Sequence, residues 1–276
     1  MKRSLICVAA LVTAFAGSAM AQSAKFTAAY NDSIDSTFVR SEACASTEEG
    51  ICGETTDYDE NEVIVEMSSI KLPNAKELMI GMSAQVALFT STQVKGKRGS
   101  YSKAVATAEG GVSLHACNQA SGVCYEAAPG YVTMDRRSQE LEAVLAGVIE
   151  ECNVDVTIDV DTETGSGYFN LADCVVLDEM IALGITTMSA NHFNFLLPNL
   201  PQGDYTIFTK FQTMASASAE AECYYTSTEE QQENLGCEAD DGNATGQAHA
   251  YIGKWMMTAQ EVRAVKDENG EPMVID

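Results

Sequence analysis

Apolar and polar side chains alternate at every second position over long stretches of this 276-residue chain. Two runs carry the pattern most clearly, one at residues 63–68 and one at residues 78–88. Successive side chains of a β-strand point to opposite faces, so a period of two predicts strands with one buried face. Shorter runs of the same kind recur between turn-rich segments. The sequence therefore predicts an all-β fold, a predominantly antiparallel β-sandwich of the jelly-roll type.

Two segments depart from this alternation. Five apolar residues recur at helical spacing: Leu177, Met180, Ile181, Ile185 and Met188. Asp173 precedes them as a candidate N-cap, so we expect one short inserted helix over residues 175–188. Residues 139–149 fit either a helix or a strand, and we favour a strand there.

The first 21 residues have the composition of a cleavable secretory signal peptide. Lys2 and Arg3 precede an apolar run over residues 5–15, and small residues dominate the exit at 18–21. No cysteine follows the expected cut, so there is no lipobox. No later apolar run approaches the roughly 18 residues that a membrane-spanning helix needs. We expect a single β-rich domain over residues 22–276, released into the periplasm or the medium.

Eight of the nine cysteines follow the leader, and they fall in sequence order into four close couples: Cys44 with Cys52, Cys117 with Cys124, Cys152 with Cys174, and Cys223 with Cys237. An exported compartment oxidises thiols. Short loops also close at a small cost in chain entropy. Although eight cysteines allow 105 connectivities, we predict four local disulfides between these neighbours.

The acidic composition limits the partners of the chain. Forty acidic residues stand against 16 basic ones, for a formal net charge of -24. Such a surface disfavours nucleic acid and anionic membranes. It serves either solubility or the binding of a divalent cation.

One acidic segment is a candidate calcium site. Asp159, Asp161 and Glu163 stand at alternate positions, as in the opening of an EF-hand loop, where oxygen ligands must converge on the ion. The sixth position, however, is Thr164 where that loop needs glycine, and the twelfth is Asn170 where it needs glutamate. The alternative is a strand and loop whose carboxylates face water. Calcium is the one cofactor that the sequence suggests.

Sequence motifs of common enzymes are absent. The chain has no Gly-x-Ser-x-Gly elbow, no His-Glu-x-x-His and no glycine-rich phosphate loop. His115, His192 and His249 are dispersed, which does not favour a zinc site. A pair of carboxylates acting as in glycosidases remains an alternative, because that chemistry depends on distance rather than on sequence spacing.

Aromatic residues suggest a second kind of site. Tyr224 and Tyr225 follow Cys223 in a polar stretch, so we expect them to be exposed and available to a glycan or protein partner. Tyr251, Trp255 and Met257 would share one face of a regular strand, and we expect that face to be core.

A short hairpin resembles one common in secreted Greek-key sandwiches. Its pattern is Leu-Pro-x-Gly-x-Tyr-x-Ile, carried by Leu200, Pro201, Gly203, Tyr205 and Ile207. Proline and glycine shape the turn, and the tyrosine and isoleucine begin an inward-facing strand. The resemblance supports the fold and says nothing of the activity.

These observations predict an exported, noncatalytic sandwich that serves as a binding module or as a surface or filament component. The polar residues 22–40 could add a strand to a neighbouring copy, which would be a route to self-assembly. A secreted glycosidase-like hydrolase is the alternative.

Overall fold

The computed structural model describes residues 26–31, 37–46, 52, 54–159, 164–223 and 242–262. They form twelve strands: β1 (Phe26–Asn31), β2 (Thr37–Ser46), β3 (Thr56–Leu72), β4 (Lys76–Gly96), β5 (Ser100–Asn118), β6 (Cys124–Glu126), β7 (Val132–Leu145), β8 (Val148–Asp159), β9 (Thr164–Leu177), β10 (Glu179–Leu200), β11 (Gly203–Cys223) and β12 (Gly242–Val262). No helix occurs within these ranges, and the predicted all-β class is confirmed.

Ten of the strands form two antiparallel five-stranded sheets that pack face to face. In sheet A the order is β1-β12-β4-β10, and β2 joins β1 on the same edge of β12. In sheet B the order is β3-β11-β5-β6, and β7 also pairs with β5. The remaining strands, β8 and β9, form a separate two-stranded ribbon. The predicted sandwich is therefore present, with the ribbon as an addition.

The alternating residues of the sequence meet in the space between the sheets. Leu78, Ile80 and Met82 of β4 are completely buried, and Tyr205 and Ile207 of β11 belong to the same core cluster. Each buried side chain of this size stabilises the fold by about 1.5–3 kcal/mol. The alternation at residues 63–68 and 78–88 thus predicted strands correctly, because each strand buries one face only.

A second, smaller core cluster lies at the other end of the sandwich and consists largely of alanine. Ala217 and Ala219 of β11 face Ala43 and Ala244 of sheet A there. A Cβ on Gly246 of β12 would lie 2.6 Å from the carbonyl oxygen of Val105 in sheet B. The two sheets therefore approach each other at this end until backbone meets backbone, which only small residues permit.

The predicted helix over residues 175–188 is wrong. Leu177 ends β9, and Glu179 begins β10, whose first 19 residues pair with β4 without interruption from Glu179 opposite Gly96 to Leu197 opposite Leu78. A ladder of long-range hydrogen bonds with β4 outweighs the local periodicity, and Gly184 together with β-branched neighbours weakens the helical alternative. Asp173, the expected cap, lies in β9. The strand interpretation of residues 139–149 is correct except at residues 146–147, which separate the end of β7 from the start of β8.

The N-terminal residues pair within their own sheet. β1 pairs with residues 255–260 of β12, and β2 pairs with residues 243–252 of the same strand. This pairing counts against the expectation that residues 22–40 complete the sheet of a neighbouring copy.

The outer edge of β2 is capped by carboxylates of β3. Asp59 accepts a hydrogen bond from the backbone N–H of Arg40 at 3.1 Å, and Asp57 accepts one from Glu42 at 2.8 Å. The backbone N–H of Cys44 donates to the carbonyl of Glu54 at 2.8 Å. Caps of this kind leave no row of free donors to which another strand could bind.

Candidate functional site

The outer face of sheet B carries a polar cluster centred on Glu109 of β5. The register places Glu109 opposite Arg136 of β7 and Met214 of β11, and Met214 opposite Glu60 of β3. Although this face is turned away from the core, Glu109 is only 7% exposed. A carboxylate with so little access to water needs hydrogen-bond partners.

Three side chains of the β7 segment supply those partners. The hydroxyls of Tyr131 and Thr133 donate to Oε1 of Glu109, at 3.2 Å and 2.8 Å. The Nε of Arg136 lies 3.6 Å from Oε2. Both carboxylate oxygens are thus engaged, and Glu109 holds the Tyr131 ring in place over the strand.

Two glycines explain how the ring fits there. Gly111 faces outward below the ring, and a Cβ at this position would lie 2.3 Å from the Tyr131 hydroxyl oxygen. Gly110 faces inward, where a Cβ would lie 2.8 Å from a methyl group of Val86 in sheet A. Consecutive glycines in a strand mark close approach on both faces. The missing side chain of Gly111 leaves the space that the Tyr131 ring occupies beside Glu109.

The pKa of Tyr131 reflects this setting. Burial of the phenol, followed by the charge and hydrogen bond of Glu109, raises the pKa of Tyr131 to about 12. Both causes favour the neutral phenol. Tyr131 is therefore a hydrogen-bond donor at every physiological pH.

A second tyrosine lies on the same face. The hydroxyl of Tyr58 on β3 donates to Oε2 of Glu60 at 2.6 Å, and this hydrogen bond, with smaller contributions from burial and the charges of Glu60 and Glu109, raises the pKa of Tyr58. Tyr58 is 55% exposed and Tyr131 is 44% exposed. The Glu109 site, defined as Tyr58, Glu60, Glu109, Tyr131 and Arg136, thus combines two accessible rings with fixed hydrogen-bonding groups.

Sequence reasoning did not find this site. Glu109, Gly110 and Gly111 were a usable signal, because a pair of glycines after a charged residue in a strand indicates something packed against the backbone. No sequence spacing connects Tyr58 with Tyr131, which are brought together because β3, β11, β5 and β7 pair in this order.

Two of the predicted cysteine couples form disulfides in the described residues. Cys44 is bonded to Cys52, and Cys117 to Cys124. The latter bond closes the turn between β5 and β6, where Oδ1 of Asn118 accepts the backbone N–H groups of Ala120 and Ser121. Disulfides indicate an oxidising, extracytoplasmic compartment.

The other two couples stay predictions. Cys152 of β8 lies directly opposite Cys174 of β9 in the ribbon register. Cys223 is the last residue of β11, and Cys237 lies outside the described residues.

The predicted calcium and aromatic sites fall largely outside the described residues. Asp159 ends β8, opposite Thr164, while Asp161, Glu163, Tyr224 and Tyr225 lie beyond them. In the part of the chain that is described, no three potential ligand side chains converge on a common metal position. The calcium hypothesis therefore stays a prediction.

The three histidines lie on three different strands. His192 of β10 contacts the hydroxyl of Ser83 at 2.8 Å, and His115 lies on β5. His249 of β12 packs between the rings of Phe38 and Phe89, and burial, then the charge of Arg40, lowers its pKa. Among the described residues, these histidines belong to no cluster of three or more side chains that could hold a metal ion.

An open cavity of about 490 Å³ lies at the alanine-rich end, beside the Cys44–Cys52 disulfide. Lys103 on its wall is engaged by Glu140 at 2.7 Å and by Glu142 at 3.8 Å. Its cation is neutralised by strand β7 and is poorly placed to attract a ligand.

No helix within the described ranges is long and apolar enough to cross a membrane.

Comparisons with known proteins leave the family open. No protein-family model matches the sequence, and no curated protein matches it either. Among solved structures, the Eiger TNF of S. frugiperda is 10% identical over 89% of this chain and 98% of its own, with a TM-score of 0.18.

A CocE/NonD family hydrolase from Staphylococcus aureus is also 10% identical, over 88% of this chain and 37% of its own, with a TM-score of 0.16. An alginate lyase from Alteromonas sp.272 is 9% identical over 86% of this chain and 95% of its own, with a TM-score of 0.13. Similarities this low carry no functional argument. The structure itself shows a disulfide-bonded β-sandwich, which is consistent with an exported protein.

Proposed function

We propose that this protein is an exported, noncatalytic binding protein whose ligand docks on the outer face of sheet B at the Glu109 site. The observation that carries the proposal is the pair of accessible tyrosines, Tyr58 and Tyr131, held by hydrogen bonds to Glu60 and Glu109. Tyrosine offers a flat apolar face and a polar tip with little conformational entropy to lose, which suits it to binding surfaces.

The ligand class that fits this face is a polyhydroxylated molecule such as a glycan. Sugar rings present apolar C–H faces and many hydroxyl groups, and the site presents aromatic rings beside two carboxylates and Arg136. The acidic surface argues against a polyanionic glycan, because the chain as a whole carries a formal charge of -24. Neutral or amino-substituted glycans are the expected class.

Engagement of both Glu109 oxygens supports a binding role over a catalytic one. The Oε1 of Glu109 accepts hydrogen bonds from Tyr131 and Thr133, and its Oε2 faces Arg136, so both oxygens are committed to fixed neighbours. A general acid or base instead needs an oxygen that is free to reach the substrate.

The test is binding of the exported chain to a panel of neutral, amino-substituted and acidic polysaccharides, measured by calorimetry. We expect Tyr58→Ala and Tyr131→Ala each to weaken binding by about tenfold or more, as is usual for aromatic residues at the centre of a site. Tyr30→Ala is the matched control, because Tyr30 is 79% exposed on β1 of the other sheet. Binding that is equal in all four proteins would refute the site.

Glycoside hydrolysis is the second candidate, and one observation favours it. Glu60 and Glu109 lie in one cross-strand row with a single strand between them, which puts their Cα atoms about 10 Å apart. Inverting glycosidases hold their two carboxyl groups roughly 6.5–9.5 Å apart, a separation that two glutamate side chains on Cα atoms at this distance can reach. Release of reducing sugar from the same panel, abolished by Glu109→Gln, would favour this candidate over simple binding.

A further inference from the structure

One edge of sheet A exposes an unusual amount of apolar surface. Of the 17 large apolar side chains that are exposed among the described residues, seven lie between positions 175 and 188: Val175, Leu177, Met180, Ile181, Leu183, Ile185 and Met188. Five of them belong to β10, the edge strand of the sheet. An exposed, long, apolar edge strand is a template for pairing with another strand.

Both faces of this segment are accessible. Ile181, Leu183 and Ile185 continue the face that Phe195 and Leu197 bury farther along β10, yet all three are 37–44% exposed. Met180 and Met188 occupy the opposite face and are more exposed still. Among the described residues, backbone pairing holds residues 180–186 on the β4 side only.

Two side chains of β7 form hydrogen bonds with β10, at Ser189 and at Leu183. Asp135 accepts a hydrogen bond from the Ser189 hydroxyl at 2.7 Å, and Nε2 of Gln139 donates to the Leu183 carbonyl at 2.5 Å. Beyond Gln139, strand β7 turns to the smaller core, where Leu141 packs. The contrast is with β2, whose edge N–H groups are capped by Asp57 and Asp59.

A backbone contact on the outer side of β10 shows which backbone groups of the strand point away from β4. Leu196 exchanges two backbone hydrogen bonds with Ala128, on the side away from β4. No register shift interrupts the pairing with β4 between Glu179 and Leu197. In an antiparallel ladder these directions alternate, so the even-numbered residues from 180 to 188 also turn their N–H and C=O groups away from β4.

The distribution of charge indicates which partner can bind to this edge of sheet A. Two copies of a chain with a formal charge of -24 repel each other over most of their surface. Residues 180–203, however, contain no aspartate, glutamate, lysine or arginine. This charge-free strip is where two copies can approach. The stretches 224–241 and 263–276 of the same chain contain six and four acidic residues, so they are poor complements to an apolar edge.

We propose that residues 180–188 of β10 pair antiparallel with the same segment of a second copy, about a two-fold axis at Gly184. In this register Met180 lies opposite Met188, Leu183 opposite Ile185, and Gly184 opposite itself. Apolar side chains therefore meet across the axis on both faces, and cross-strand pairs of this kind stabilise a sheet. The two copies of sheet A become one ten-stranded sheet.

The first test is sedimentation of the exported chain from low micromolar to near-millimolar concentration. A nine-residue strand pair is smaller than a standard interface, so we expect reversible dimers with a dissociation constant on the order of 10 μM. Added salt strengthens the dimer because it screens the repulsion between acidic surfaces. A chain that stays monomeric over the whole range overturns the proposal.

Three variants test the position of the interface. Leu183→Lys puts a charge on the free edge, and Ala182→Pro removes an outward N–H that the proposed partner needs but β4 does not. Both should weaken dimerisation at least about tenfold without loss of the folded circular-dichroism spectrum. Ile64→Lys is the matched control, because Ile64 is 63% exposed on β3 of the other sheet. Equal dimerisation of Leu183→Lys and Ile64→Lys contradicts the assignment.

A disulfide across the axis tests the register. A Cβ at Gly184 meets nothing closer than the Ser91 hydroxyl at 3.8 Å, so Gly184→Cys fits the fold. Directly opposed residues lie about 5.5 Å apart between Cα atoms, within reach of a disulfide. Gly184→Cys should form a covalent dimer in air, and Ile64→Cys should not. Dimers that form without this cross-link would overturn the proposed pairing.

Discussion

Tyr131 and Glu109 show how one residue depends on its immediate surroundings. The ring lies over Gly111 because a glycine leaves room for it, and the carboxylate of Glu109 is nearly buried because Tyr131 and Thr133 satisfy it. Each group makes the other's position favourable. Such reciprocity at the residue scale has a measurable signature in the ionisation of Tyr131.

We expect the Tyr131 phenol to titrate near pH 12, well above its ordinary value of 10. A folded-state pKa raised above the unfolded value stabilises the fold below pH 10, and this contribution is lost as the pH rises through about 12. The measurement is ultraviolet titration of tyrosinate in the native chain and in Tyr131→Phe. Glu109→Gln should lower the midpoint only partly, because burial is the larger cause. A Tyr131 midpoint near 10 would contradict the buried hydrogen bond.

Gln139 shows how a single side chain joins two elements. It lies on the inner face of β7, where its Oε1 accepts from Thr90 at 3.0 Å and its Nε2 donates to Thr92 at 2.6 Å as well as to the Leu183 carbonyl. A buried amide is costly without partners. With all three contacts made, it fixes β7 against β4 and β10 across the gap between the sheets.

Replacing Gln139 with methionine keeps the side-chain volume and removes the three hydrogen bonds. The buried hydroxyls of Thr90 and Thr92 lose their partner, so we expect a loss of about 2 kcal/mol in the free energy of unfolding, measured with urea. Gln85→Met, at an exposed amide on the outer face of β4, is the control and should change stability by less than about 0.5 kcal/mol. If Gln139→Met left the free energy of unfolding unchanged, the amide would not be stabilising the contact between β7 and its two neighbouring strands.

At the scale of the whole molecule, net charge opposes the compact state. Sixteen basic residues cannot neutralise forty acidic ones, and folding brings the excess acids together. Ion pairs such as Lys95 with Asp178 at 2.5 Å and Lys210 with Glu62 at 2.6 Å use some of the scarce cations on the surface. Exposed pairs like these offset little of the general repulsion.

We therefore expect the melting temperature to rise by several degrees when sodium chloride increases from about 10 mM to about 500 mM, because salt screens repulsion beyond a Debye length. Calcium chloride at matched ionic strength separates screening from specific binding. An extra rise that a chelator reverses would support the predicted site at Asp159, Asp161 and Glu163. A melting temperature that falls with salt would contradict the repulsion argument.

The sequence by itself determined the class of the fold and much of its covalent framework. Alternation at residues 63–68 and 78–88 is enough to predict half-buried strands, because the period of two is a property of the extended backbone. Proximity in the chain likewise predicted the Cys44–Cys52 and Cys117–Cys124 disulfides. These features are local, and local physics decides them.

Only the tertiary structure decided the rest. The helix expected over residues 175–188 became the edge of a sheet because β4 supplied a long-range ladder that no local pattern reveals. Regular alternation also predicted that Tyr251 and Trp255 share one face of the strand. A register shift between Ile252 and Trp255 breaks this alternation. Trp255 and Met257 pack in the core, as expected. The Glu109 site is of the same kind, since Tyr58 and Tyr131 become neighbours only through the register of strands distant in sequence.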